Sequence, residues 1–555
     1  MAGAWASLEN EPDFAASTSF LLTDGRVMVQ EEGTNRWWAL APDAAGDYVT
    51  GTWRLLALSV HARRFYASAV LADGRVVVAG GEYGDAGGSD IDSAEIYDPF
   101  ADEWTTIGTP GWGWLGDASS CLLADGRFLV GSIVDPRCAV YDPTTNQWSA
   151  AASKSVSCDE ETWTLLPDNT VLAVNTMAPP AAERYLPDQD RWVSSGNTPV
   201  ELVQSSSAEI GPAILLNDTR TLCMGATGHT ALYVHPAAIA DLGAWLVGPD
   251  IPNDNQGRRQ KAKDSPATLL PSGNVLLVAG PASDDGSDWP STTNFFEFDA
   301  TTDTITAIAN PPANHTVAYV ARLLLLPTGQ VMYTNGSGTV SIYTPAGGPL
   351  DAWRPRVTAC PTALAPGWGY SLSGHLLNGM SQAVSYGDDA AQATNYPLVR
   401  LTDPVSGRVV YCPTSGHTSM AINRPRETVS TNFTVPAGTP AGQYQLTVIA
   451  NGIASEPTTV SVGGPGASLW ARYDLVRELL EEPGDPPYAA GRRAFVAVTP
   501  RHRVLHERTL RAYDRARDAF HDLDEIADQV AHERTQLTVA TADAPRVKPV
   551  TGRRA

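Results

Sequence analysis

One phrase, written seven times, constrains this chain more than any other property of its sequence. It first reads "LLTDGRVMV" (residues 21–29) and returns as "VLADGRVVV", "LLADGRFLV", "LLPDNTVLAV", "LLNDTRTLCM", "LLPSGNVLLV" and "LLPTGQVMY". Anchored on the turn residues Gly25, Gly74, Gly126, Asn169, Thr219, Gly273 and Gly329, successive copies stand 49, 52, 43, 50, 54 and 56 residues apart. Each copy is an apolar run, a tight turn and a second apolar run, which is the signature of a β-hairpin. A unit of this size cannot bury both its faces alone, so a period near 50 predicts units that stack on one another.

A second phrase follows most copies: a strand centred on tyrosine, a turn, then a strand carrying tryptophan. It reads "AEIYDPFADEW" (Tyr97, Trp104), "AVYDPTTNQW" (Tyr141, Trp148) and "AERYLPDQDRW" (Tyr185, Trp192), with weaker copies at Tyr233/Trp245 and Tyr343/Trp353. Two hairpins per period make a four-stranded blade, and seven periods predict a seven-bladed kelch-type β-propeller over residues 1–353. The opening "GAWASLEN" resembles the tryptophan strands that end blades. Trp5 is therefore expected to supply the outer strand of the last blade, with Trp353 as its rival for that place.

Beyond Trp353 the pattern changes. Runs such as "GYSLSGHLL", "PLVRLTDP", "GRVVYCPT", "VSTNFTVP" and "GQYQLTVIA" alternate with Gly, Pro and Asn turns. They predict an immunoglobulin-like β-sandwich over 354–463. Residues 464–555 read as a linker, amphipathic helices and a basic tail. From Arg501 to about Leu537 the stripe Leu510, Tyr513, Ala516, Phe520, Leu523, Ile526 and Val530 recurs at steps of three and four. A stripe of that kind predicts a helix that docks on its own protein or, through residues 501–540, on a partner or second copy. The fold class expected is thus all-β with a helical C-terminal extension.

With 61 acidic against 38 basic residues the formal net charge is −23, which argues against a nucleic-acid partner, since phosphate binding needs a basic stripe. No run of about 18 apolar residues occurs, so no membrane span is expected. The first residues lack a basic segment followed by an apolar one. That favours a cytoplasmic protein, with prior removal of a leader as the alternative. The six cysteines (Cys121, Cys138, Cys158, Cys223, Cys360, Cys412) have no zinc spacing and read as mostly buried free thiols. Cys360 and Cys412 are the two that could pair in an oxidising compartment.

The kelch repeats, the sandwich placed after them and the phrase "GHTSM" inside the sandwich together resemble the galactose oxidase and glyoxal oxidase family of copper radical oxidases. The likeness spans about residues 1–463. It implies a copper ion near the propeller axis, held by two histidines and two tyrosines, with one tyrosine cross-linked to a cysteine. The family's propeller ligands stand nine or ten residues ahead of the turn glycine. At those places this chain has Ala16 for the cysteine, Phe65 for the cross-linked tyrosine and Tyr319-Val320 for a Tyr-His pair. Tyr83 stands near the place of the covering tryptophan, and His417 falls where the last histidine is expected. One tyrosine and one histidine are too few donors to hold copper(II) tightly. No copper is expected, and without the Cys–Tyr pair no radical oxidant.

The same offset in the other blades selects a different chemistry: Arg64, Asp117, Asp159, Glu160, Glu209 and Asp264, with Tyr319 and Arg322 in the last blade. If the innermost strands all start at one end of the central channel, these side chains meet at its mouth. His417 is counted with them on the resemblance. Such a group could bind calcium, a sugar or a peptide end, or its acids could only pair with its arginines. The leading reading is a non-catalytic binding or scaffold protein for a protein or carbohydrate ligand. The alternatives are a carbohydrate-active enzyme or rebuilt oxidase at the same mouth, and a subunit attached to a larger assembly through the C-terminal helices.

Overall fold

The computed structural model describes residues 3–84, 91–117, 119–239, 241–282, 289–386 and 392–463. The expected tail helices lie outside the described residues. Seven antiparallel four-stranded blades follow one another along the chain, each running from an innermost to an outermost strand, with two added short strands making the sheet of blade 6 six-stranded. In blade 1 these are Ala16–Leu21, Val27–Glu31, Trp37–Ala41 and Thr52–Leu55. The innermost strands of the other six begin at Ala67, Ser120, Trp163, Ala213, Pro266 and Arg322. Among the described residues no helix is long and apolar enough to cross a membrane.

The repeated phrase has a physical reason in each half. All seven turn anchors, Gly25 to Gly329, adopt a left-handed backbone, with Asn169 at φ 68° and Thr219 at φ 77°. The hairpin is a tight turn closed by a left-handed residue, which glycine adopts without strain. In three copies the arginine that follows the turn residue reaches across the blade boundary. Arg26 donates to the Pro99 carbonyl (3.2 Å) and Arg75 to the Pro143 carbonyl (3.4 Å), while Arg220 donates to the Ala300 carbonyl (3.0 Å).

The tryptophan strands make a second clip between blades. The indole N–H of Trp104 donates to the Ala57 carbonyl, that of Trp192 to Ala152 and that of Trp245 to Ser195, each a carbonyl at the outer edge of the preceding blade. Trp5 does the same, donating to the Ala309 carbonyl at 2.7 Å. Its strand Ala4–Ser7 pairs with Ser341–Thr344, placing Trp5 opposite Tyr343 as Trp104 is placed opposite Tyr97. The N-terminus therefore closes the ring. Trp353 sits in a short 3-10 turn instead. Its ring lies against Gly273, where a Cβ would meet it at 2.7 Å.

After the propeller come two further sheets. One is ordered Arg356–Ala359, Gly369–His375, Thr428–Thr434, Thr414–Ser415; the other runs through Thr458–Val462, Gly442–Ala450 and Leu398–Thr402. Leu372, Phe433, Leu401, Leu446 and Val460 fill the space between them, as the inward-facing residues of a sandwich must. One excursion of this sandwich, the segment around residues 376–386, enters the propeller axis. Gln382 Oε1 accepts from the Leu165 N–H in blade 4 (2.9 Å), and the Ala383 carbonyl accepts from Leu269 in blade 6 (2.6 Å). Val384–Tyr386 then adds to the innermost strand of blade 6, with residue 386 opposite Pro266. The central channel is filled rather than open, so what remains at its end is a cup.

Candidate functional site

The innermost strand of each blade starts at the cup and runs away from it, so the residues just before the strand form its rim. Phe65, Asp117, Glu160 and Asp264 stand nine positions ahead of their turn residues in blades 2, 3, 4 and 6. All four adopt a left-handed backbone, at φ 46°, 47°, 52° and 47°. Non-glycine residues pay a steric cost there, and such strain gathers at ligand sites. The turn aims each side chain toward the axis instead of along the sheet. Hydrogen bonds between blades hold the rim: Asp117 N–H to the Phe65 carbonyl (3.2 Å) and Asp264 N–H to the Ile210 carbonyl (2.9 Å).

The cup has a volume of about 490 Å³ and is lined by Glu32, Arg64, Phe65, Glu82, Tyr83, Asp117, Glu160, Glu209, Asp264, Trp289, Tyr319 and Val320. Six carboxylates thus face one guanidinium among the described residues. Arg64 is turned aside to Glu32 (Nε–Oε1 2.9 Å). Gly33 leaves the room for this, since a Cβ there would fall 2.5 Å from the guanidinium. Among the acids the rings form a continuous edge-to-face series. Tyr83 meets Phe65 at 6.1 Å, Phe65 meets Tyr319 at 6.1 Å, and Tyr319 meets Trp289 at 5.8 Å. Behind Trp289 the Lys263 ammonium lies 3.6 Å from the ring centroid, a cation already seated on this aromatic wall.

Glu209 is the most buried of the acids, 6% exposed. Burial first, then the charge of Asp264, push its carboxyl up to about 8, against the opposing pull of Lys263 and a hydrogen bond with Glu160. Two carboxyl groups that share a hydrogen bond must share a proton. Tyr83 is raised too, chiefly by the charge of Glu82.

Of the residues expected at the mouth, Arg64, Asp117, Glu160, Glu209, Asp264 and Tyr319 line the cup. Asp159 stands behind it; burial raises its carboxyl, and its charge bears on Glu209. Arg322 is buried and donates to the Tyr319 (2.6 Å) and Ala321 (2.9 Å) carbonyls, shaping the turn that presents Tyr319. His417 is not part of the site. Its N–H donates to the Ala72 carbonyl, beside the turn of blade 2, so it lies at the far end of the strand whose near end carries Phe65. Its Nδ1 pairs with Thr431 Oγ1 at 2.9 Å, and burial lowers the imidazole to about 4.

Glu32, Glu82 and Trp289 were not anticipated from the sequence. Glu32 and Glu82 follow the second strand of a hairpin, seven and eight residues after the turn. An antiparallel partner returns to the end where the first strand began, so counting forward from the turn, as well as backward, would have found them. Trp289 comes from a connection in blade 6 that no repeat phrase marks.

Residues 63–111 carry a Kelch motif. No curated protein matches the sequence. Among solved structures the chain is similar to a fungal alcohol oxidase of the AA5 family in complex with copper, at 13% identity and TM-score 0.46, covering 84% of this chain and 99% of that one. It is also similar to a catalytically inactive variant of virginiamycin B lyase from Staphylococcus aureus with quinupristin, at 12% identity and TM-score 0.44, covering 62% and 99%. Neither likeness bears on the residues of the cup.

The donors present can be tested against the copper that the resemblance implies. The cup offers carboxylates and two phenols, Tyr83 and Tyr319, with no imidazole or thiol among its lining residues. Ala16 and Phe65 stand where a cross-linked Cys–Tyr pair would be needed. This set does not fit a radical copper centre. Among the described residues no three His, Cys, Asp or Glu side chains are grouped to hold a metal ion.

Proposed function

We propose that this protein is a recognition module whose propeller cup takes a ligand bearing a protonated amine or guanidinium, and that it does not carry out copper radical oxidation. The observation that carries the reading is the presence of six carboxylates and a series of aromatic rings in one cup of about 490 Å³. Carboxylates would accept charge-assisted hydrogen bonds from the cation, and the rings of Phe65, Tyr319 and Trp289 would cover its flanks. A basic peptide side chain or an amino sugar has both features. Calcium, bound through the same acids, is the competing cation.

The experiment is a thermal-shift and calorimetric comparison of arginine ethyl ester, a neutral methyl glycoside, citrate and calcium at pH 8. Arginine ethyl ester is expected to bind, with affinity falling as salt rises, and Glu160→Gln/Asp264→Asn is expected to abolish it. Preferential binding of the glycoside or citrate, or binding that the double substitution leaves intact, would overturn the reading.

A second reading has its own support. Glu209 holds its proton near neutral pH beside Glu160, the condition under which a carboxyl can serve as a general acid. Turnover of an amino-sugar glycoside lost in Glu209→Gln would favour that enzyme over the binding module.

A further inference from the structure

The loop that carries Glu160 toward the cup contains Cys158, and the third strand of blade 3, Cys138–Asp142, begins with Cys138. Both thiols are buried, and their sulfurs approach to 3.9 Å. The approach is built by a third residue. Gly131 lies opposite Cys138 in the strand register, and a Cβ on it would fall 2.5 Å from Cys158 Cβ and 2.7 Å from its sulfur. Any other side chain there would drive Cys158 off its neighbour. The loop is also anchored on both sides of the thiol: the Cys158 N–H donates to the Ser132 carbonyl (2.9 Å), and Ser119 Oγ donates to the Glu161 carbonyl (2.8 Å).

We infer that Cys138 and Cys158 form a structural disulfide when the chain folds in the presence of a disulfide oxidant. A disulfide sulfur pair stands about 2.05 Å apart, so the sulfurs must close by about 2 Å from their 3.9 Å approach. Two protein thiols and one small-molecule disulfide exchange. The new S–S bond forms with loss of two electrons and two protons from the thiols, and the oxidant leaves as two thiols carrying both. Buried thiols react slowly, so the exchange occurs while the loop is docking, and the finished bond is shielded from reductants. The cross-link would fix the base of the segment two residues before Glu160. It does not rest on what the cup binds. It differs from the sequence expectation, which named Cys360 and Cys412.

The test is refolding of the full chain with oxidised and reduced glutathione, alkylation in denaturant, and non-reducing tryptic mapping by mass spectrometry. Cleavage after Arg137, Lys154 and Arg184 puts each cysteine alone in its own peptide, 138–154 and 155–184. The expected result is those two peptides joined, the other four cysteines alkylated, and a melting temperature a few degrees above the reduced protein. Cys360→Ser should keep the bond and Cys138→Ser should lose both the bond and the oxidation-dependent rise. Six alkylated cysteines after oxidative refolding, or a bond to any other cysteine, would refute the inference; a Cys138→Ser protein that still melted higher after oxidation would do so too.

Discussion

Replacing Glu209 by glutamine should change how stability depends on pH, and the size of the change follows from the site. Burial and the neighbouring Asp264 charge raise the carboxyl from 4.5 to about 8. In the folded protein Glu209 therefore keeps a proton that the unfolded chain gives up near 4.5. Its contribution is complete below that value and is lost as pH rises toward 8, where the folded form also ionises. At about 1.4 kcal/mol per pH unit the gap bounds the effect at about 5 kcal/mol. Relaxation of the neighbouring acids reduces it toward about 2 kcal/mol. In a unit of 468 residues, 1 kcal/mol moves the melting temperature by about 1 °C. Glutamine mimics the protonated acid, so Glu209→Gln should melt with the wild type at pH 5 and about 2–5 °C above it at pH 9. Melting curves at half-unit intervals would show this. Two profiles that stay parallel from pH 5 to 9 would refute the claim that Glu209 is held protonated in the cup.

Two further expectations concern the scaffold. Trp5 stacks edge-on against Phe295 at 5.1 Å as well as bonding Ala309, so Trp5→Ala should cost about 2–4 kcal/mol, close to the cost of Trp104→Ala, read by thermal melting and by proteolysis of the N-terminal strand. A Trp5→Ala protein as stable and as resistant as wild type would contradict closure by the N-terminus. The Lys154 ammonium and the Glu161 carboxylate are bonded with both side chains at 0% exposure. Lys154→Met should lower stability by about 3–5 kcal/mol by leaving a buried charge, whereas Lys154→Met/Glu161→Gln should regain more than half of it.

The fold was legible because a repeat states its own answer. Seven anchors, each left-handed in the structure, mark seven hairpins, and the tryptophans of the outer strands mark the clips between blades. Four of the six cup acids, Asp117, Glu160, Glu209 and Asp264, were legible for the same reason, since an offset of nine or ten from the turn selects equivalent positions in successive blades. His417 was not, because its assignment came from a phrase in the sandwich rather than from a repeat, and nothing in that phrase says which end of the propeller it meets. The segment that fills the axis was also hidden. Gln382 and Ala383 reach blades 4 and 6 through contacts more than 100 residues distant in sequence, and neither hydrophobic period nor turn chemistry reports such a contact.

The central claim is that the cup is a cation site made by its acids and rings together. Isothermal titration with arginine ethyl ester, on the wild type, Glu160→Gln/Asp264→Asn and Trp289→Ala at pH 6.5 and 8.5, tests it most directly. Saturable one-to-one binding is expected to strengthen at pH 8.5 as Glu209 loses its proton, vanish in the double variant and weaken in Trp289→Ala by about 2–30-fold, the worth of one cation–π contact of about 0.5–2 kcal/mol. Binding that is indifferent to pH and to all three substitutions would place the ligand elsewhere and contradict it.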